Sequence, residues 1–190
     1  GPEVPLSEGI VDELTTETRR VFGPCKEAAQ IEADKSFAKE LMRQASIPSA
    51  DSRTFTNIDA AKRYLLRGLD REFESEGKTE FAQEIADYMD NVSGDRKKGS
   101  SQFSSELQLI LDKRTEPCVV KANGLAAGKG VLICKTVGEA MEAVDVNMKD
   151  NAFGDAGSSI LIEELMTGQE VSVLALVDGE TIWVLDICQD

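Results

Sequence analysis

The chain has 190 residues, 41% of them hydrophobic and 29% charged, and a formal net charge of −14. These proportions suit a soluble globular protein with room for one ordinary domain, or one domain and part of another. The acid excess argues against nucleic-acid binding, because no basic cluster beyond Arg96-Lys97-Lys98 could form a compensating face.

An anionic small ligand stays compatible, since a few local lysines can set the field in a cleft. The chain contains no histidine. That excludes Ser-His and Cys-His nucleophilic catalysis within these residues, and histidine zinc sites as well. Any chemistry must use carboxylates, lysines, backbone amides or a hard metal ion. The four cysteines, Cys25, Cys118, Cys134 and Cys188, form no CxxC pair and read as reduced thiols. No signal peptide and no apolar run of membrane length is visible, so the expectation is a cytoplasmic protein with no membrane or nucleic-acid partner.

In chain order, Leu6, Ile10 and Leu14 fall at helical spacing after a proline-rich start. Val21-Phe22 reads as a short strand ended by Gly23-Pro24. Lys26 to Ser46 reads as one amphipathic helix, with Ala28, Ile31, Ala38, Leu41, Met42 and Ala45 on its apolar stripe, stopped by Ile47-Pro48. Ser52 to Phe55 is a strand, and Thr56 or Asn57 caps a helix running through Leu66. From Arg67 to Arg114 charges and serines dominate. This segment reads as a surface excursion with helices over Glu80–Met89 and Phe103–Leu111 around a loop at Asn91–Ser101.

Beyond Glu116 the period shortens. Cys118-Val-Val and Val131-Leu-Ile-Cys are strands flanking the run Lys121 to Val131 (KANGLAAGKGV). Thr136 and Glu139 form a capping box for a helix carrying Ala140, Ala143, Val144 and Met148. Ser159 to Glu163 is a strand. Val171–Val177 and Thr181–Ile187 are two more, joined at Asp178-Gly179, a pair favoured in type I′ hairpins. The C-terminal half is thus a β-rich α+β unit.

The glycine run is neither of two familiar phosphate loops. Gly124-x-x-x-Gly128-Lys129 is one residue short of a Walker A loop, Gly130 occupies the hydroxyl position, and a strand follows where a helix is needed. The dinucleotide fingerprint is also absent. The run therefore joins two strands as a hairpin flap. Its glycines permit close approach to a ligand, and its successive amides could form an anion nest. Lys121 closes the incoming strand, where its ammonium could meet a phosphate as a point charge. The competing reading is a mobile hairpin whose lysines keep an edge strand soluble.

Four blocks, in order, resemble the glycinamide ribonucleotide synthetases (phosphoribosylamine–glycine ligases), ATP-grasp enzymes of purine biosynthesis. The blocks are GPEVPLSEGIVDEL, VFGPCKEAAQIEADKSFAKELM, VVKANGLAAGKGV and AFGDAGSSILIEELMTGQEVSVLALVDGE. The resemblance implies an α+β ATP-grasp fold, seen here as a partial chain. Residues 1–24 would end an N-terminal α/β substrate-side domain. Residues 25–66 would begin the ATP-grasp region, 67–114 would be a charged helical insertion, and 115–190 would hold the flap lobe and hinge.

The same resemblance implies roles. Lys35 and Lys121 match lysines that hold ATP phosphates, Lys121 in a catalytic role. Gly124, Leu125, Ala126, Ala127, Gly128, Lys129 and Gly130 match the flap over the β and γ phosphates. Glu163, Glu164 and Leu165 match the hinge, where the backbone of Glu163 and Leu165 would read the adenine edge. Strand alternation allows only one of Glu163 and Glu164 to point into a cleft. Glu170 matches the acceptor of the ribose hydroxyls. Gly1, Pro2, Glu3, Pro5 and Leu6 match a segment near the phosphoribosylamine pocket, and Asp190 opens a substrate-side segment.

The implied reaction phosphorylates glycine with ATP and passes the glycyl group to 5-phosphoribosylamine. Such transfer needs positioning and charge neutralisation more than a side-chain nucleophile. Magnesium would bridge the phosphates, with its ligands expected beyond Asp190. The alternatives are another ATP-grasp carboxylate–amine ligase, or a non-catalytic nucleotide-binding module using the charged segment as its partner site. The segment Arg67–Arg114 exceeds the family's short link, and Asn123 stands where an aspartate or serine is more usual.

Overall fold

The structure, a computed structural model, describes residues 2–93, 103–126, 129–150 and 152–189. The chain opens with two short helices, α1 (Glu3–Glu8) and α2 (Ile10–Leu14), separated by Gly9 in the left-handed conformation at φ 97°. Val21-Phe22 is not a strand. Among the described residues no strand pairs with it, and Phe22 is 81% exposed.

The single helix expected over Lys26–Ser46 is two: α3 (Lys26–Ala33) and α4 (Lys35–Gln44). Asp34 makes the break. Its carboxylate accepts the Phe37 amide at 2.9 Å, so it caps a new helix instead of continuing the old one. The expected apolar stripe is only partly buried. Of its six residues only Ala38 is buried and Met42 is half-buried, while Ala28, Ile31, Leu41 and Ala45 are exposed; Ala29, off that stripe, is buried instead.

Strand β1 (Ser52–Phe55) leads into α5 (Ile58–Leu65), capped by the Asn57 side chain on the Ala60 amide at 2.8 Å. Then come α6 (Leu69–Ser75), α7 (Thr79–Ser93) and α8 (Ser105–Leu111). Helix α7 runs three residues into the stretch expected as loop; the rest of that loop, with Arg96-Lys97-Lys98, lies outside the described residues. The segment is not a surface excursion. Leu69, Phe73, Ile85, Leu107 and Leu111 are buried in one core with the helix that follows the flap. Arg114 adds a bidentate link to Glu72, at 2.9 and 2.6 Å, that ties α6 to the next strand.

Strands β2 (Thr115–Ala122) and β3 (Val131–Thr136) flank the glycine run, followed by α9 (Val137–Met148), a 3-10 turn at Gly154–Gly157 and β4 (Ile160–Glu164). The Thr136 hydroxyl accepts the Glu139 amide at 3.2 Å. The Glu139 carboxylate reaches back to the Lys135 amide at 2.6 Å, one residue earlier than a standard capping box. The sheet is antiparallel throughout, in the order β1-β4-β2-β3.

Alternation sorts its two faces. Val120, Ile160, Ile162 and Cys134 face the core beneath α9 and α5. Lys121, Leu161 and Glu163 take the other face, where the register pairs Lys121 with Leu161 and Val119 with Glu163.

The last two strands, β5 (Ala175–Asp178) and β6 (Thr181–Val184), are shorter than expected and form a separate exposed ribbon. Their turn is Gly179-Glu180, one residue on from the expected pair. Asp178 and Thr181 are register partners, and of the turn residues only Gly179, at φ 56°, has positive φ. A type I′ turn needs positive φ at both central positions, so this turn is of another kind.

Candidate functional site

The face of the sheet opposite the core gathers three lysines around one carboxylate. Glu163, one residue before the end of β4, is 5% exposed. Its Oε2 lies 2.6 Å from Lys121 Nζ, and its Oε1 lies 3.4 Å from Lys39 Nζ. Lys121 reaches it diagonally from the neighbouring strand, and Lys39 from the middle of α4. Lys39 also donates to the Ala50 carbonyl at 3.0 Å, which holds the turn before β1 against the helix. Glu164 points away and is exposed, and its amide is spent on the Asp51 carbonyl at 3.0 Å.

Lys35, one turn before Lys39, faces the root of the flap. Its ammonium donates to the carbonyls of Gly124 at 3.0 Å and Asn123 at 3.4 Å. Burial holds its pKa below the ordinary lysine value, and Lys121 acts in the same direction, while the carboxylate of Glu32 works against both. Asn123 locks the flap root to α4, its Oδ1 accepting from the Ser36 amide and the Ser36 hydroxyl, each at 2.8 Å. The Ser36 hydroxyl in turn meets Thr54 Oγ1 on β1 at 3.0 Å. Sequence reasoning passed over Lys39, Ser36 and Thr54. The signal for Lys39 was its spacing of four from Lys35, which puts both on one helix face.

The flap joins β2 to β3 as expected of a hairpin. Ala122 N–H donates to Gly130 O at 2.8 Å, and Lys129 N–H to Ala126 O at 2.9 Å. The amides of Asn123 and Gly124 are bonded to the carbonyls of Ser159 and Ala156. These two amides and that of Lys129 are therefore not inward-facing nest donors, and the anion-nest reading shrinks accordingly. Ala127 and Gly128 lie outside the described residues, as do Gly1 and Asp190.

The N-terminal segment does approach the flap. Glu3, Leu6, Ala29 and Leu125 line a small cavity of about 60 Å³. Pro5 is half-buried and Pro2 exposed. Leu165 is half-buried just past β4. Glu170 is exposed between β4 and β5, outside the lysine cluster.

A larger cleft, of about 310 Å³, opens on the core face of the sheet beside Tyr64, Arg67 and Cys118. Asp51, Glu116 and Glu164 also line it, as does Glu163, whose own carboxylate is paired with Lys121 and Lys39 on the opposite face. Three carboxylates against one guanidinium disfavour a polyphosphate there, whereas Lys35, Lys39 and Lys121 outnumber Glu163 on the other face.

No group of three or more His, Cys, Asp or Glu side chains that could hold a metal ion occurs among the described residues. The one buried carboxylate at the site is already paired with two ammoniums. These residues do not by themselves form a magnesium site.

Comparison with known proteins gives the chain a family. The family model for the phosphoribosylglycinamide synthetase ATP-grasp (A) domain matches residues 77–190, more than half of the chain. The chain belongs to that family. Among curated relatives, the phosphoribosylamine–glycine ligase of Rhodopirellula baltica is 42% identical over 192 residues, covering 100% of this chain and 34% of the relative. That of Nostoc sp. is 40% identical over 190 residues, with the same coverage of each. This ATP-grasp chain thus spans about a third of the length of the curated relatives it matches.

The crystal structure of phosphoribosylamine–glycine ligase from Thermotoga maritima superposes with a TM-score of 0.55 at 24% identity, over 93% of this chain and 33% of that one. D-alanyl-alanine synthetase A of Vibrio cholerae superposes at 0.51 with 16% identity, over 95% of this chain and 40% of that one. Both likenesses support the α+β ATP-grasp fold. Among the described residues no helix is long and apolar enough to cross a membrane.

Proposed function

We propose that the protein containing this chain joins glycine to 5-phosphoribosylamine at the expense of ATP. The products are glycinamide ribonucleotide, ADP and phosphate. The observation that carries the reading is the convergence of Lys35 and Lys121 at the root of a glycine-rich flap, in a chain of the phosphoribosylglycinamide synthetase family.

In this reading Lys121 and Lys35 neutralise ATP phosphates, and Gly124 to Gly130 close over them. The buried Glu163 sets where Lys121 stands, Leu165 borders the adenine, and Glu170 accepts from the ribose. Glu3, Pro5 and Leu6 belong to the phosphoribosylamine side. A charge-neutralising site without histidine suits phosphoryl transfer to a carboxylate, which gains most from positioning and electrostatics. Magnesium, if used, takes its ligands from elsewhere in the protein.

Residues 1–24 close a substrate-side domain. Residues 25–66 and 115–190 belong to the ATP-grasp region, and 67–114 is an insertion that shares its core. The enzyme works in the cytoplasm.

The test is ADP release by the full-length protein, supplied with magnesium, glycine and freshly made phosphoribosylamine. Release that requires both co-substrates, and is abolished by Lys121→Ala, supports the ligase. Release that proceeds with a different acid and amine moves the function to another carboxylate–amine ligase. ATP binding without release moves it to a nucleotide-binding module.

A further inference from the structure

We propose that Lys39 is a positioning residue: it is the standing counter-ion of Glu163, and it lets Lys121 leave that carboxylate for the phosphates of a nucleotide. The inference rests on the ATP reading above and assigns the division of labour within the lysine cluster.

Glu163 is 5% exposed, and its two oxygens are taken by two different ammoniums. A buried carboxylate stripped of every cation is strongly disfavoured. If Lys121 were its sole partner, each phosphate that drew Lys121 away would strand a buried charge. Lys39 removes that conflict.

Three features fit Lys39 to the part. Its ammonium is also anchored by the Ala50 carbonyl at 3.0 Å, so it stays when Lys121 moves. Its contact to Glu163 is the longer of the two, 3.4 against 2.6 Å, which leaves room to tighten as Lys121 departs. It is also the less exposed lysine, 19% against 27% for Lys121, so Lys121 is the more accessible to a ligand of the two.

Lys35 does not take the same part, because its ammonium lies against the carbonyls of Gly124 and Asn123 at the flap root and makes no ion pair with Glu163. The platform beneath Glu163 is held by the same turn, through the bond from the Glu164 amide to the Asp51 carbonyl.

The experiment measures equilibrium binding of ATP and of adenosine to the full-length protein and its variants. Lys39→Met is expected to weaken ATP by about tenfold while leaving adenosine, which has no phosphates, within about twofold. Lys39→Arg keeps the cation and should bind ATP as the wild type does. In a Glu163→Gln background there is no carboxylate to neutralise, so adding Lys39→Met should change ATP binding by less than about threefold. That last comparison also carries the test if Lys39→Met alone folds poorly.

Unchanged ATP binding by Lys39→Met overturns the inference, and so does a loss that persists in the Glu163→Gln background. Failure of the wild type to bind ATP overturns the nucleotide reading itself, and the inference with it.

Discussion

Lys121 and Glu163 meet across two adjacent antiparallel strands, with Nζ 2.6 Å from Oε2 and the carboxylate almost wholly buried. The register that pairs Val119 with Glu163 puts Lys121 two residues further along the same face, so the contact is a diagonal one set by strand alternation. Removing Lys121 leaves Glu163 with Lys39 alone. Lys121→Met should therefore cost about 1–3 kcal/mol, below the range for a fully buried pair because Lys121 is partly solvated. Urea unfolding of the variant, with Glu163→Gln and the double variant completing the cycle, checks this. A coupling energy near zero would mean that the pair only coexists.

Lys35 gives a pH prediction. Its pKa is lowered from 10.5, first by burial and then by Lys121. Between the lowered value and 10.5 the unfolded chain holds more protons at this position than the folded one. Lys35 therefore opposes folding at neutral pH, and this opposition fades as pH rises through that window. A bound phosphate favours the charged ammonium and reverses the shift. Nucleotide binding should then take up a proton at alkaline pH and weaken as pH rises through the lowered value. Calorimetry in two buffers of different ionisation enthalpy measures the uptake. Lys35→Met should remove it.

Asn123 can be tested for its hold on the flap root. Its Oδ1 satisfies a first-turn amide of α4 and the Ser36 hydroxyl. Asn123→Ala leaves both without that acceptor and should cost about 1–2 kcal/mol in chemical unfolding. Asn123→Asp keeps the acceptor and adds a negative charge near Lys35. It should retain stability within about 0.5 kcal/mol and raise the Lys35 pKa, which NMR titration of the lysine side chain reports.

What could be read in the sequence follows the range of the forces involved. The sheet strands at Cys118, Val131 and Ile160 were legible from their short apolar runs, whereas Ser52–Phe55, exposed at three of its four residues, carries no such run. The flap was legible from its glycines. The break at Asp34 was missed because the apolar spacing runs through it, and only the cap on Phe37 reveals it.

The partnership of Lys39 with Glu163 joins residues far apart in the chain and has no local signal. The strand reading of Val21-Phe22 failed because a strand needs a neighbour, which no local pattern supplies. The surface reading of residues 67–114 weighed their many charges. It overlooked that Leu69, Phe73, Ile85, Leu107 and Leu111 recur at spacings that put them on the inner faces of three helices.

Phe73 tests that last point. It is 2% exposed and packs edge-on to Phe81, with ring centroids 6.1 Å apart. Phe73→Ala should destabilise the protein by about 3–5 kcal/mol, as for a large aromatic in a well-packed core. A change below about 1 kcal/mol, in the range of ordinary surface substitutions, would show that residues 67–114 unfold apart from the sheet.

Gly130 tests whether the flap's exit tolerates any side chain. A Cβ there would lie 2.7 Å from Ala122 Cβ and 2.9 Å from Ala126 Cβ, closer than carbon atoms approach without displacement. Ala122 is held by the hydrogen bond that closes the hairpin, from its own amide to the Gly130 carbonyl. Relief of the clash must therefore move the flap itself. Gly130→Ala should cost about 1–3 kcal/mol, the range for overpacking a tight site, and should weaken nucleotide binding beyond what that loss explains.

Gly77 supplies the control. At φ 76° it has nothing within 4 Å of the point where a Cβ would stand, so Gly77→Ala meets only backbone strain of about 1 kcal/mol. Nucleotide affinity should fall for the first variant and hold for the second. Equal losses in both would mean that affinity follows global stability and that the flap's close packing has no part in gripping the phosphates.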